Sequence, residues 1–147
     1  MATERKRPED FLELVERAKR GRLKVYIGSA AGVGKTYQML EEAHALKKRG
    51  VEVVLGFIET HDRLDTAALI DGLEVVPRQR VEYRGVVVEE MDLEAVLKRR
   101  PQLAIVDELA HTNAPFCRNK KRYQDVLELL DAGINVICAV NVQHLES

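Results

Sequence analysis

The sequence predicts a three-layer α/β fold around a mainly parallel sheet, and three observations carry that prediction. Short apolar runs alternate with amphipathic runs of helical period along most of the 147 residues. The first apolar run, Leu23-Lys24-Val25-Tyr26-Ile27, enters a glycine-rich turn, Gly28-Ser29-Ala30-Ala31-Gly32-Val33-Gly34-Lys35-Thr36, and an amphipathic run from Tyr37 to Arg49 leaves it. A later apolar run, Leu103-Ala104-Ile105-Val106, ends on Asp107-Glu108.

Strand, glycine-rich turn and helix form the context that gives a phosphate-loop pattern structural meaning, so the fold class sharpens to a P-loop NTPase-like domain. Glycines let backbone N–H groups curl around an anion, and the following helix directs its positive end at the same spot. In such a loop Lys35 reaches the outer phosphates of ATP and the Thr36 hydroxyl ligates Mg²⁺. The strict spacing places Ser29 where the first glycine is usual, with Gly28 one residue early.

Bulk properties narrow the class. The net charge of −1 offers no general attraction to nucleic acid, and 5% aromatics leave little for base stacking. No apolar run reaches the ~20 residues of a membrane span, so no direct membrane insertion is expected. The charged start, Met1 to Arg7, does not read as a signal peptide. Cys117 and Cys138 lack metal spacing, which fits a reducing, cytoplasmic setting.

In chain order, Phe11, Leu14, Val15 and Ala18 give residues 8–19 a helical period, ended by Gly21. Residues 1–20 are therefore expected as a helical extension, packed on the domain or connecting to a partner, with 21–147 as the nucleotide domain. The helix from Tyr37 buries Met39, Leu40, Ala43 and Leu46, places Lys47, Lys48 and Arg49 in its last turn and stops at Gly50. Val51 to Ile58 reads as a buried second strand, with Glu59-Thr60-His61-Asp62-Arg63 at its carboxyl end. Asp65 or Thr66 starts a short helix before Gly72. Residues 75–88 are either a hairpin or one strand with an irregular entry. Asp92 caps a helix through Arg99, ended before Pro101. Residues 103–106 are a buried strand, about 121–132 a helix and 134–140 another buried strand. Because folds of this type usually continue with a further strand and helix, the domain is expected to be cut short at its C-terminus.

Paired with the loop, the Asp107-Glu108 strand end is the second half of a nucleotide site. Asp107 would hold Mg²⁺, and Glu108 stands where many ATPases keep the base that orients water. In the loop that follows, Asn113 or Thr112 are candidates to sense the terminal phosphate and Arg118 to neutralise it. Gln143 follows a strand that can lie beside the phosphate-loop strand, a sensor position. His61, His111 and His144 each follow a strand, but their spacing is not that of a zinc site.

Gly-Val-Gly-Lys-Thr at 32–36, Glu-Thr-His at 59–61, Asp-Glu-Leu-Ala-His-Thr-Asn at 107–113, Lys-Arg-Tyr-Gln-Asp-Val at 121–126 and Asn-Val-Gln-His-Leu-Glu-Ser at 141–147 resemble the N-terminal cytoplasmic domain of the KdpD family. These are bacterial sensor histidine kinases that control potassium-uptake genes. The resemblance runs from about Gly21 onward. It implies a regulatory ATP-binding input module in a parent of the bacterial inner membrane, followed by further sensor-kinase domains and acting on the response regulator KdpE. It carries nucleotide binding onto Gly32, Gly34, Lys35, Thr36 and Asp107. The kinase core lies in domains that this stretch does not contain. Asp62, Asp65 and Pro115-Phe116-Cys117-Arg118-Asn119 depart from the usual family residues.

Two other functions compete. One is a stand-alone ATPase or ATP-dependent transferase related to adenosyltransferases, with Glu108 in a catalytic role. The other is a nucleotide-free dimerisation or docking module, in which a homodimer would be the working form.

Overall fold

The computed structural model describes residues 8–28 and 33–141. Within them, helix α1 (Pro8–Lys19) precedes β1 (Leu23–Gly28), α2 (Val33–Lys48), β2 (Val53–Phe57), α3 (Leu64–Ala68) and β3 (Glu74–Val75). Then come β4 (Gln79–Tyr83), β5 (Val86–Glu90), α4 (Leu93–Arg99), β6 (Leu103–Val106), α5 (Arg122–Asp131) and β7 (Asn135–Asn141).

Five strands form one sheet in the order β1-β7-β6-β2-β3, and the described neighbour pairings in it are all parallel. The near-continuous apolar strands are those that a sheet covered on both faces requires. Side-chain alternation divides them into two clusters. Val53, Leu55, Leu103, Ile105, Ile137 and Ala139 face Met39, Leu40 and Ala43 of α2. Val54, Ala104, Val106, Val136 and Cys138 face Leu93 and Val96 of α4 and Val126 and Leu129 of α5. The result is helix layer, sheet, helix layer, as the sequence predicts. Fully buried side chains such as Leu40, Ile105 and Leu129 each contribute roughly 1.5–3 kcal/mol of transfer free energy.

Three features differ from, or add to, the sequence expectation. First, β1 and β2 are not neighbours; β7 and β6 lie between them. Second, α2 begins at Val33 rather than Tyr37, so Gly34-Lys35-Thr36 form its first turn, where backbone N–H groups lack partners within the helix. Third, the pairing of β2 with β6 shifts register between Leu55 and Phe57. This bulge reverses the alternation, so Phe57 joins the cluster of Val54 while Ile58 joins that of Leu55.

The open choice at residues 75–88 resolves to an antiparallel hairpin, β4–β5, outside the main sheet. Its two-residue turn, Arg84-Gly85, has positive φ at both positions (52° and 78°), the geometry that matches strand twist and that Gly85 adopts without steric cost. Asp92 caps α4 by accepting from Ala95 N at 3.0 Å, as expected. Helix α1 leaves Phe11, Leu12, Leu14 and Val15 exposed. Its link to the fold runs through Gly21 N to Leu130 O at 2.8 Å and through the Arg20–Asp131 ion pair.

Candidate functional site

Parallel strands bring their carboxyl ends to one edge, and with only β7 between them the ends of β1 and β6 stand about 10 Å apart. The start of α2 spans this gap. Thr36 Oγ1 donates to Asp107 Oδ2 at 2.9 Å, joining two residues 71 positions apart. The same carboxylate accepts from Glu59 N at 3.2 Å and Glu108 N at 3.0 Å. Thr36 and Asp107 are 4% and 5% exposed, so this is a buried hydroxyl–carboxylate pair. Burial pushes the Asp107 carboxyl above its ordinary value, while the hydrogen bonds from Thr36, Glu59 and Glu108 work in the opposite direction.

Lys35 lies beside the end of β1. Its ammonium donates to Asn141 Oδ1, on the strand paired in register with Gly28. A Cβ added at Gly28 would stand 2.5 Å from Lys35 Nζ, so this glycine leaves the space in which the ammonium sits. Asn141 was not among the residues expected in the site; its signal was its place at the carboxyl end of an apolar run. Ser29, Ala30, Ala31, Gly32 and Gln143, all expected at the nucleotide, lie outside the described residues, as does His144. Gly34 is exposed, and apart from its chain neighbours and its own helix backbone no described residue lies within 4 Å of where its side chain would start.

Glu108 has a left-handed backbone (φ 54°). Its carboxylate lies 3.6 Å from His61 Nε2 and 4.0 Å from Arg122 Nη1. His61 and Asp62 also have positive φ, 50° and 61°, in the turn leaving β2. Strained backbone of this kind collects at functional sites.

Arg122, the first residue of α5, is fully buried beneath this edge. It donates to the Asp107 carbonyl and to Glu90 Oε1, both at 3.2 Å, and lies 3.8 Å from the centre of the Phe57 ring. Glu90, itself 3% exposed, also meets His111 Nε2 at 2.8 Å and accepts from Ala114 N at 2.7 Å. The sequence reading singled out neither residue for the site.

The loop from Leu109 to Lys121 is braced from within. Asn113 Nδ2 donates to Asn119 O at 3.0 Å and Asp125 Oδ2 at 2.9 Å. Arg118 pairs with Glu94 and Glu128, and Lys121 Nζ donates to Thr112 Oγ1. Described side-chain partners of Asn113, Thr112 and Arg118 thus belong to the loop and to the helices beside it. No cluster of three potential metal-binding side chains occurs among the described residues, and no described helix is long and apolar enough to cross a membrane.

A family model described as KdpD, osmosensitive K⁺ channel His kinase sensor domain, matches residues 19–147. A sensor protein KdpD of Mycobacterium tuberculosis (strain CDC 1551 / Oshkosh) is 59% identical over 128 residues, which is 87% of this chain and 15% of the relative. The sensor protein KdpD of Escherichia coli K12 is 54% identical over 140 residues, 95% of this chain and 16% of the relative. A putative sensor protein KdpD of Synechocystis is 54% identical over 129 residues, 88% of this chain and 35% of the relative. The chain therefore spans a small part of the length of the relatives that it matches.

Proposed function

The chain belongs to the KdpD family of sensor domains, and from that premise we propose that it is an ATP-binding regulatory input domain of a potassium-responsive sensor histidine kinase. The observation that carries the nucleotide reading is the contact of Thr36 with Asp107 at the start of α2, beside Lys35. A hydroxyl and a carboxylate are oxygen donors suited to Mg²⁺, which keeps several waters and takes few protein ligands. The space that Gly28 leaves for the lysine, and the room beside Gly34, fit a phosphate chain laid over the helix start.

When bound, Mg²⁺ would neutralise phosphate charge. The chain's own residues do the rest. Lys35 holds phosphate oxygens as a point charge, with Asn141 orienting its ammonium. Thr36 and Asp107 would hold the metal, and the backbone N–H groups of Glu59 and Glu108 fix the Asp107 carboxylate. Glu108, between His61 and Arg122, is suited to orient a water, which favours slow ATP hydrolysis as a second activity. Through the parent protein, nucleotide occupancy would bias the later kinase domains and the response regulator KdpE, with the parent in the bacterial inner membrane.

A switch requires different binding in two states, since equal affinity shifts nothing. Peptide hydrogen exchange with Mg-ATP, Mg-ADP and neither tests this. Mg-ATP should protect amides at 33–36 and 107–121 more than Mg-ADP does. Identical exchange in all three states would reject the regulatory reading.

A further inference from the structure

Arg122 breaks two rules of local stability. A cation at the first position of a helix faces the positive end of the helix dipole. A fully buried guanidinium is costly, and here its Nε has no hydrogen-bond partner among the described residues. Burial also draws its pKa downward, against the pull of Glu90, Glu108, Asp125 and Asp107. Violations without a local gain collect where function requires them.

The contacts show what the side chain accomplishes. One nitrogen, Nη1, donates to the Asp107 carbonyl and faces the Glu108 carboxylate. The other, Nη2, is held by Glu90 at the root of the β4–β5 hairpin. The Phe57 ring, turned to this face by the bulge in β2, supports the guanidinium from one side. The peptide between Asp107 and Glu108 is thus fixed at its carbonyl by Arg122 and at its N–H by the Asp107 side chain. Fixing that peptide fixes the direction in which both carboxylates leave the strand.

We propose that Arg122 is a positioning residue for the metal end of the site, and that Glu90 is the buried counter-charge that holds it there. The proposal rests on the nucleotide reading above. Arg122 acts on the metal through Asp107, while the phosphate contacts of Lys35 do not depend on it. Its effect therefore falls on the part of ATP affinity that requires Mg²⁺.

The test compares the affinity of the full chain for ATP with Mg²⁺ and for ATP in EDTA, in the wild type, Arg122→Lys and Glu90→Gln. A lysine ammonium cannot span the Asp107 carbonyl and Glu90 as the forked guanidinium does. Glu90→Gln keeps the volume and removes the charge, so it serves even where the arginine variant folds poorly. In both variants the gain in affinity conferred by Mg²⁺ should fall by about tenfold or more, as for supporting residues around other metal ligands. Affinity in EDTA should hold. A purely structural role would lower both affinities together, and that result overturns the proposal. So does an unchanged Mg²⁺ gain in both variants. Failure of the wild type to bind ATP in either condition is a separate outcome, one that removes the nucleotide reading itself and this inference with it.

Discussion

Replacing Gly28 by alanine separates the nucleotide site from the stability of the fold. The added Cβ would lie 2.5 Å from Lys35 Nζ and 3.0 Å from its Cδ, closer than atoms tolerate. These are atoms far out on a flexible side chain, so the lysine can move while the backbone stays. Alanine is also a better strand residue than glycine, by roughly 0.5–1 kcal/mol. The folding free energy should therefore change by less than about 1 kcal/mol. Lys35, however, must leave the position in which it meets Asn141 beside the start of α2. A charge-assisted hydrogen bond to phosphate is worth about 1.5–3 kcal/mol, which weakens ATP binding by roughly 10- to 150-fold. Titration with a fluorescent ATP analogue, beside urea unfolding of the same variant, measures both quantities. Unchanged nucleotide affinity would refute the placing of Lys35. Binding lost together with more than about 2 kcal/mol of stability would refute the separation of site from fold.

Two further predictions concern ionisable groups. Burial raises the Asp107 carboxyl above its ordinary value of 3.8, so the folded chain holds that proton more tightly than the unfolded chain. Stability is thereby lost as pH rises from the unfolded pKa through the folded one, and the ionised group remains a cost above it. Asp107→Asn should gain urea resistance relative to the wild type as pH rises above about 4; a difference that does not vary with pH would contradict this. Burial, with the charges of Glu90 and Asp125 adding to it, pushes the half-buried Cys117 thiol up to about 11. At pH near 8 its alkylation by iodoacetamide, followed by mass spectrometry, should run on the order of a hundredfold slower than that of a free thiol, and a comparable rate would count against that environment.

The sequence was most legible where one local rule decided the outcome. Apolar runs marked β1, β2, β6 and β7, and Asp92 marked the start of α4, because burial and capping act over a few residues. Sheet order was not legible, since nothing in residues 23–57 shows that two later strands will enter between β1 and β2. The bulge beside Gly56 was equally hidden. It depends on the partner strand, yet it decides which face receives Phe57. Two motifs flag Thr36 and Asp107, and the structure brings their side chains together. Arg122 and Glu90 were missed because sequence gives charge but not burial, and each lies at one end of its element. The residues of the 109–121 loop show the opposite case. Asn113 was a candidate to sense the terminal phosphate and Arg118 to neutralise it, and their described partners are Asn119, Asp125, Glu94 and Glu128.

The most direct measurement is calorimetric titration of Mg-ATP into this chain and into Lys35→Ala. Saturable binding by the wild type, weakened by about a hundredfold or more in the variant, is the predicted result. Wild-type binding that the substitution leaves intact would place the nucleotide elsewhere, and no binding by the wild type would contradict the central claim.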